Sequence, residues 1–334
     1  MPTQRNINRL QRMTAATDST EGRREGSNDS KKSVAVFTVN NEVGFRVAMG
    51  LSSHYRVKAV ILSDGGDDSR SESLKENGVE VHIADEFNKE TVFNILHGCY
   101  ACFLATKTVF TEPNFQQNEI ERGILVVEQC KAANISHLIH LTHVTVEFSI
   151  GILARQNDAK EFIERQIRKL AIPSTGLILP VPYEVLFTVH KPVRYSGHKY
   201  FLKIPMGETA FDGISLEHVG EIVGGILAQG PKAFGKDYAV SAGKLTVEEM
   251  ASIMSRQLHP ADIRDAKMTV NELRQQGAET PGSEDIANMY EFMSRMDLRH
   301  NIDLTRSLCP SLLSFDQWVS KQRDQFKHIL TQNK

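Results

Sequence analysis

Val34-Ala35-Val36-Phe37-Thr38-Val39-Asn40-Asn41-Glu42-Val43-Gly44-Phe45-Arg46-Val47 holds, in order, a short apolar run, a polar turn and the first turns of a helix. Val43, Val47 and Leu51 stand four apart, the spacing that lines one helix face. The run before the turn does not alternate, so both its faces need cover, as in a parallel sheet. Outward from it the same unit repeats. A second apolar run occupies 57–62, and after Gly78 the segment Val79-Glu80-Val81-His82-Ile83 alternates as a strand does. Two further runs at 101–106 and 137–142 flank a helical pattern containing Ile120, Ile124, Val127 and Cys130. A helix over about 157–170 puts Ile163, Ile167 and Leu170 on one face and ends before Ile172-Pro173; 175–179 is a sixth strand. Strands alternating with helices predict an α/β fold built on a doubly wound parallel sheet.

Beyond Pro180 the texture changes. Isolated strands are predicted at 201–205 and 238–241, and helices dominate. Thr246-Val247-Glu248-Glu249 and Thr269-Val270-Asn271-Glu272 both match a capping box, in which two side chains satisfy the first free amides of a helix. Later helices are predicted at 284–296 and 315–329, the last with Phe315, Trp318, Val319, Phe326 and Ile329 as its apolar stripe. The predicted layout is an N-terminal tail (1–33), a dinucleotide-binding-like domain (34–180) and a smaller, mostly helical domain (181–334) that exchanges some elements with it.

The 334 residues suffice for a large core, and 24% charged residues with a net charge of −2 give no electrostatic case for nucleic acid or an anionic membrane. No apolar run approaches the roughly 20 residues that cross a bilayer. Four scattered cysteines, Cys99, Cys102, Cys130 and Cys309, read as reduced thiols and not as a disulfide framework. Residues 1–33 carry seven basic and four acidic side chains, leaving the remainder at net −5. Residues 14–33 offer little to bury and are expected to be disordered. The first 17, with three arginines and no acid, faintly resemble a mitochondrial presequence, though a solvated tail is the plainer reading.

In a Rossmann-type site the turn after the first strand carries glycines, so that backbone and helix amides can approach a pyrophosphate. Here only Gly44 remains. The layout resembles the NmrA-like family of atypical short-chain dehydrogenases, whose loop reads G-x-x-G-x-x-G; the three glycine positions fall on Thr38, Asn41 and Gly44. The resemblance is strongest in Asp265-Ala266-Lys267-Met268-Thr269, Asp285-Ile286-Ala287-Asn288-Met289, Asp303-Leu304-Thr305 and Phe315-Asp316-Gln317-Trp318, which look much like the C-terminal half of vertebrate NmrA-like redox-sensor proteins. It implies an NADP(H) or NAD(H) site at Thr38, Asn41 and Gly44, with Asp85 near the adenine, Thr106 (followed by Lys107) beside the nicotinamide path, and Lys160 as the family lysine. The arginine that would pair with a 2′-phosphate falls on Leu62. Asp64, Asp67 and Asp68 follow it, which fits NAD better than NADP, or a plain acidic loop.

The departures from that pattern weaken the implied site. Asn41 is expected to take the left-handed backbone that the second glycine would supply. Thr38 and Asn41 put side chains where phosphate oxygens would lie. Glu42 at 4 Å would oppose a diphosphate by about 1–4 kcal/mol, depending on effective dielectric. Asn41 and Glu42 are therefore expected to cap the helix internally, leaving dinucleotide binding weak or absent; the other reading is a surface turn that still admits nucleotide loosely. Lys160 without a ribose to bind would be an ordinary solvated lysine.

Catalytic chemistry finds few residues. The Tyr-x-x-x-Lys of short-chain dehydrogenases has Gln156 in place of its tyrosine, and Thr142 stands near the place of its serine, so no catalytic residue is named. Cys99-Tyr100-Ala101-Cys102 enters an apolar strand, where burial suppresses thiolate. His137, His140 and His143 are three apart on a strand, hence on opposite faces, and no metal is expected. The expected function is a non-catalytic NmrA-like regulator or redox-sensor-type protein working through protein partners, with homodimerisation plausible from the family. The alternative is an atypical NAD(P)-dependent oxidoreductase with relaxed cofactor binding. A cytoplasmic location, also nuclear, goes with the first, and a mitochondrial one rests on the tail alone.

Overall fold

The structure, a computed structural model, describes residues 31–62, 70–84, 88–143 and 151–332. Asp64, Asp67, Asp68, Asp85 and the N-terminal tail expected to be disordered lie outside these residues, except for its last few positions. Lys32–Lys334 form one compact unit.

Strand β1 (Ser33–Phe37) leads through the loop into helix α1 (Glu42–Leu51). It lies inside a seven-stranded sheet with β2 (Arg56–Leu62), β3 (Glu80–Ala84), β4 (Ala101–Leu104), β5 (His137–Leu141), β6 (Ser174–Ile178) and β11 (Lys236–Ala239). The strand order is β11-β6-β5-β4-β1-β2-β3, and every pairing is parallel. This is a Rossmann-type doubly wound sheet, and the order reverses between β1 and β4, where such folds form a crevice at the carboxyl ends of the strands. The segment 238–241, expected to be an isolated strand, instead belongs to the sheet's outer edge: Lys236 begins β11, beside β6. The other strands form two three-stranded sheets, β12-β10-β7 and β13-β9-β8, from β7 (Val181–Pro182), β8 (Val193–Ser196), β9 (Lys199–Leu202), β10 (Phe211–Ile214), β12 (Gly243–Leu245) and β13 (Asp262–Asp265).

Strand periodicity divides the core. Val34 and Val36 point into one cluster and Ala35 and Phe37 into the other, across the sheet. Helices α2 (Arg70–Glu76), α3 (Lys89–Leu96), α4 (Phe115–Ala132) and α5 (Arg155–Lys169) follow in chain order, and α3, α4 and α5 cover the second cluster. The first cluster is covered by α1, α6 (Val219–Gln229) and elements further along, so one core draws on residues before and after 180. Helix α6 reaches the sheet side by touching α1 backbone to backbone: a Cβ on Gly220 would lie 2.7 Å from the Gly50 Cα.

Both predicted capping boxes are present, opening α7 (Val247–Gln257) and α8 (Val270–Gly277). A third, Ser314 with Gln317, opens α11 (Phe315–Lys321), after α9 (Ser283–Arg295) and α10 (Ile302–Leu308). The stripe expected to make one helix is split: α11 ends and α12 (Arg323–Gln332) begins two residues later, which lets Trp318 pack among Tyr183, Phe187, Phe315 and Phe326. Asp285 holds α9 to the start of α5, accepting from the Arg155 backbone amide at 2.9 Å and from its guanidinium at 2.7 Å.

The three histidines of β5 and its end are buried or nearly so. Burial pushes His137 down to about 4, and it pushes His140 to about 4 although Glu164 opposes the shift. Unfolded, both titrate near 6.5, so between about pH 6.5 and 4 the unfolded chain holds protons that the folded one refuses. Stability is thus complete above that window and drops as the pH falls through it. Urea midpoints taken from about pH 7 to pH 4.5 should fall, and His137→Gln should flatten the dependence by up to one proton, about 1.4 kcal/mol per pH unit; an unchanged slope in the variant refutes this.

Candidate functional site

The loop between β1 and α1 is built differently from the glycine pattern. Asn41 does not take the left-handed backbone: it is extended (φ −97°), and its Oδ1 accepts from the Gly44 amide at 2.7 Å as the N-cap of α1. Thr38 takes the left-handed conformation instead (φ 61°), unusual for a β-branched residue and worth about 1–3 kcal/mol of strain. It is buried, and its hydroxyl oxygen has no hydrogen-bond partner. Gly44 keeps the role of the third glycine: a Cβ there would lie 2.4 Å from the Thr38 carbonyl oxygen. Helix α1 therefore leans directly on the strand end.

Glu42 is less hostile to an anion than its charge alone suggests. It pairs with Arg46 Nε at 2.7 Å and Arg70 Nη2 at 3.1 Å, and Arg70 also donates to the Asn40 carbonyl at 3.0 Å. Both guanidinium groups lie near the Phe45 ring. The expected capping holds for Asn41, while Glu42 anchors an arginine cluster.

Lys160 is not a solvated lysine. Its ammonium lies 2.7 Å from Glu119 Oε1, with the lysine side chain 7% and the glutamate 0% exposed. Thr106 and Thr108 each donate to that carboxylate at 2.6 Å, and Lys160 donates to the Gln156 carbonyl at 3.2 Å. Charge, hydroxyl and carbonyl thus satisfy one another, as burial of an ion pair requires. Glu119 went unnoticed in the sequence, although it stands four residues from Phe115 and from Gly123 on the buried stripe of α4. Thr142 is also committed, donating to Glu164 at 2.6 Å, and Gln156 donates to the Asp285 carbonyl at 3.3 Å. No side chain of Leu62 is described, and the structure is silent on Asp85.

Beside this cluster opens a cavity of about 400 Å³ between the ends of β5 and β6, the start of β10, α9 and the segment after it. Its wall is largely apolar, from Ile178, Phe211, Phe292, Met289, Met293 and Met296, and its polar groups include His143, Asn157, Asp212, Lys244 and His300. Burial pushes His143 down to about 3, aided by the nearby positive charge of Lys160. Burial raises Asp212, but the His300 ring beside it, the hydrogen bond from Ser241 and the charge of Lys244 outweigh it and leave its carboxyl below the ordinary value.

The cysteines make no redox pair. Burial raises the Cys99 thiol and, with Cys130 beside it, raises Cys102 further. Among the described residues one group could gather on a metal: His218, Glu221 and Cys309, with ligand atoms within 4.8 Å of one another. The His218 ring is already engaged, since Nε2 accepts from the Leu313 amide at 3.2 Å, which leaves the proton of the neutral ring on Nδ1, facing Cys309 Sγ at 3.6 Å. Cys309 itself is pushed up to about 12, chiefly by burial.

Two substitutions test this construction. Thr38→Gly removes left-handed strain and an unpartnered hydroxyl, and should raise the unfolding free energy by about 1 kcal/mol after the entropy cost of glycine. Lys160→Met leaves Glu119 buried and uncompensated and should cost about 3–5 kcal/mol, most of it recovered by adding Glu119→Leu. Denaturant midpoints measure both, and a Lys160→Met variant as stable as the parent would show that the pair is not structural.

The profile of the NmrA-like family matches residues 30–319. Among solved structures, NmrA, a negative transcriptional regulator crystallised with NADP, superposes with a TM-score of 0.74 at 17% identity, covering 91% of this chain and 98% of that one. The triphenylmethane reductase of Citrobacter sp., complexed with NADP(H), gives 0.69 at 18% identity, covering 87% and 99%. The NADPH-dependent quinone oxidoreductase of Escherichia coli gives 0.69 at 13%, covering 86% and 99%. At such identities the likeness speaks to the fold, while the profile spans most of the sequence: the chain belongs to the NmrA-like family.

Proposed function

We propose that this chain is a regulatory, non-catalytic member of its family, of the redox-sensor type, that acts through protein partners and holds dinucleotide weakly or not at all. The observation that carries the reading is the buried pair between Lys160 and Glu119, since a lysine already neutralised by a carboxylate that two threonine hydroxyls hold in place has little left to offer a ribose. The phosphate end agrees. Asn41 occupies the Gly44 amide, one of the helix-start donors that an anion would use, and Thr38 carries a side chain at a glycine position. As they stand, these residues do not fit a dinucleotide.

Regulation needs the surface of the fold and not hydride chemistry, and a structural relative of this kind is a negative transcriptional regulator. Self-association and a cytoplasmic and nuclear setting belong to the same proposal. A second reading, an oxidoreductase with relaxed cofactor binding, draws on the cavity beside the groove.

Calorimetric titration of the purified chain separates the two. Under the regulatory reading NADP(H) and NAD(H) bind with dissociation constants no better than about 1 mM, and the repaired loop Thr38→Gly/Asn41→Gly/Glu42→Ala tightens binding about tenfold. Micromolar binding by the unaltered chain sinks the proposal.

A further inference from the structure

Three side chains of metal-ligating chemistry meet at the start of α6, none of them part of the dinucleotide loop or the cavity wall. His218 is the N-cap of α6 and Glu221 lies in its first turn, three residues on and so on the same helix face. Cys309 comes to them from the end of α10. Their nitrogen, oxygen and sulfur atoms all lie within 4.8 Å of one another. Ser311, two residues past Cys309, adds a hydroxyl that donates to Glu221 Oε2 and lies 3.5 Å from Cys309 Sγ.

The spacing suits a coordination polyhedron. Sulfur and nitrogen ligands of a tetrahedral zinc stand about 3.5 Å apart, given the usual zinc–sulfur and zinc–nitrogen lengths. Cys309 Sγ is 3.6 Å from His218 Nδ1, close to that edge. A thiolate with an imidazole and one carboxylate is a donor set that favours zinc over magnesium or calcium. His218 and Cys309 are buried, whereas Glu221 and Ser311 are exposed and give an ion a way in.

A supporting partner for the imidazole is also in place. Without metal, Nε2 accepts from the Leu313 amide at 3.2 Å and Nδ1 keeps the proton. Metal on Nδ1 requires the proton on Nε2, where Glu217 Oε1 stands 3.5 Å away, itself held by Lys321 at 3.0 Å. A carboxylate behind a ligating histidine is the usual outer support of such sites. The Leu313 amide then turns to solvent, which its half-buried residue permits.

We infer that His218 Nδ1, Glu221 and Cys309 Sγ form a zinc site, with the fourth position open to the Ser311 hydroxyl or to water. Binding sends the Cys309 thiol proton to solvent and leaves the ring proton on Nε2 in place of Nδ1. Filled, the site ties the start of α6 to the turn between α10 and α11. It uses no group of the dinucleotide loop, so it stands or falls apart from the regulatory reading.

The test uses the purified, untagged full chain, stripped with EDTA and kept reduced. Zinc chloride is titrated against a chromophoric chelator, and cobalt chloride is followed by absorbance. One zinc per chain is expected, with a dissociation constant of about 10 μM or tighter. Cobalt should give the visible band of tetrahedral coordination together with a thiolate-to-cobalt charge-transfer band. Calorimetry in buffers of different ionisation enthalpy should find about one proton released per zinc. Cys309→Ser should abolish the charge-transfer band, and Glu221→Gln and Glu217→Gln should each weaken zinc at least about tenfold; unfolding midpoints show whether the variants are folded. If Cys309→Ser does not fold, the two glutamate variants and the cobalt spectrum of the unaltered chain still decide. Zinc weaker than about 10 μM, cobalt bound without the thiolate band, or affinity unchanged by Cys309→Ser or Glu221→Gln overturns the inference.

Discussion

The buried contact between Lys160 and Glu119 constrains everything around it. Two opposite charges taken from water repay that cost only when each remaining lone pair and proton finds a partner. Here the partners come from three places: Thr106 and Thr108 after β4, Gln156 in α5 and Glu119 in α4. The end of the central strand and both neighbouring helices are thus tied at one point. The groove that relatives of this fold use for a cofactor is bordered by that knot, which is why the lysine reads as scaffold.

The fold was legible because burial on both sheet faces leaves an unambiguous trace. Val34 to Phe37 and its successors are apolar without alternation, and helices with four-residue spacing lie between them. The capping boxes at Thr246 and Thr269 were equally readable, being local chemistry. The strand read at 238–241 as isolated begins at Lys236 and pairs with β6, because a strand's pairing partner is tertiary information that its own residues do not carry. The break between α11 and α12 follows from packing around Trp318, which a one-dimensional stripe cannot express.

The site was only partly legible. Loss of glycine at Thr38 and Asn41 is visible in sequence, and Asn41 as a cap follows from its short polar side chain. Asn41 was read as able to bear a left-handed backbone, since Asn tolerates it in isolation, but the cap geometry outweighs that preference and Thr38 bears it instead. Arg70, which moderates Glu42, lies 28 residues away along the chain and has no local signature. Asp212 and His300 come from a strand and a loop far apart in sequence, so their meeting beside the cavity could not be read from spacing.

The crossing of Gly50 over Gly220 has a mechanical consequence. Where main chain meets main chain at this crossing, no rotamer stands between the two helices to yield. Helix α1 starts at the loop of Thr38 and Asn41, and α6 starts beside His218, whose ring meets Cys309 and the Leu313 amide just before α11. A side chain added at either glycine would meet the other helix's main chain, so this crossing fixes how near the end of α1 can lie to the start of α6.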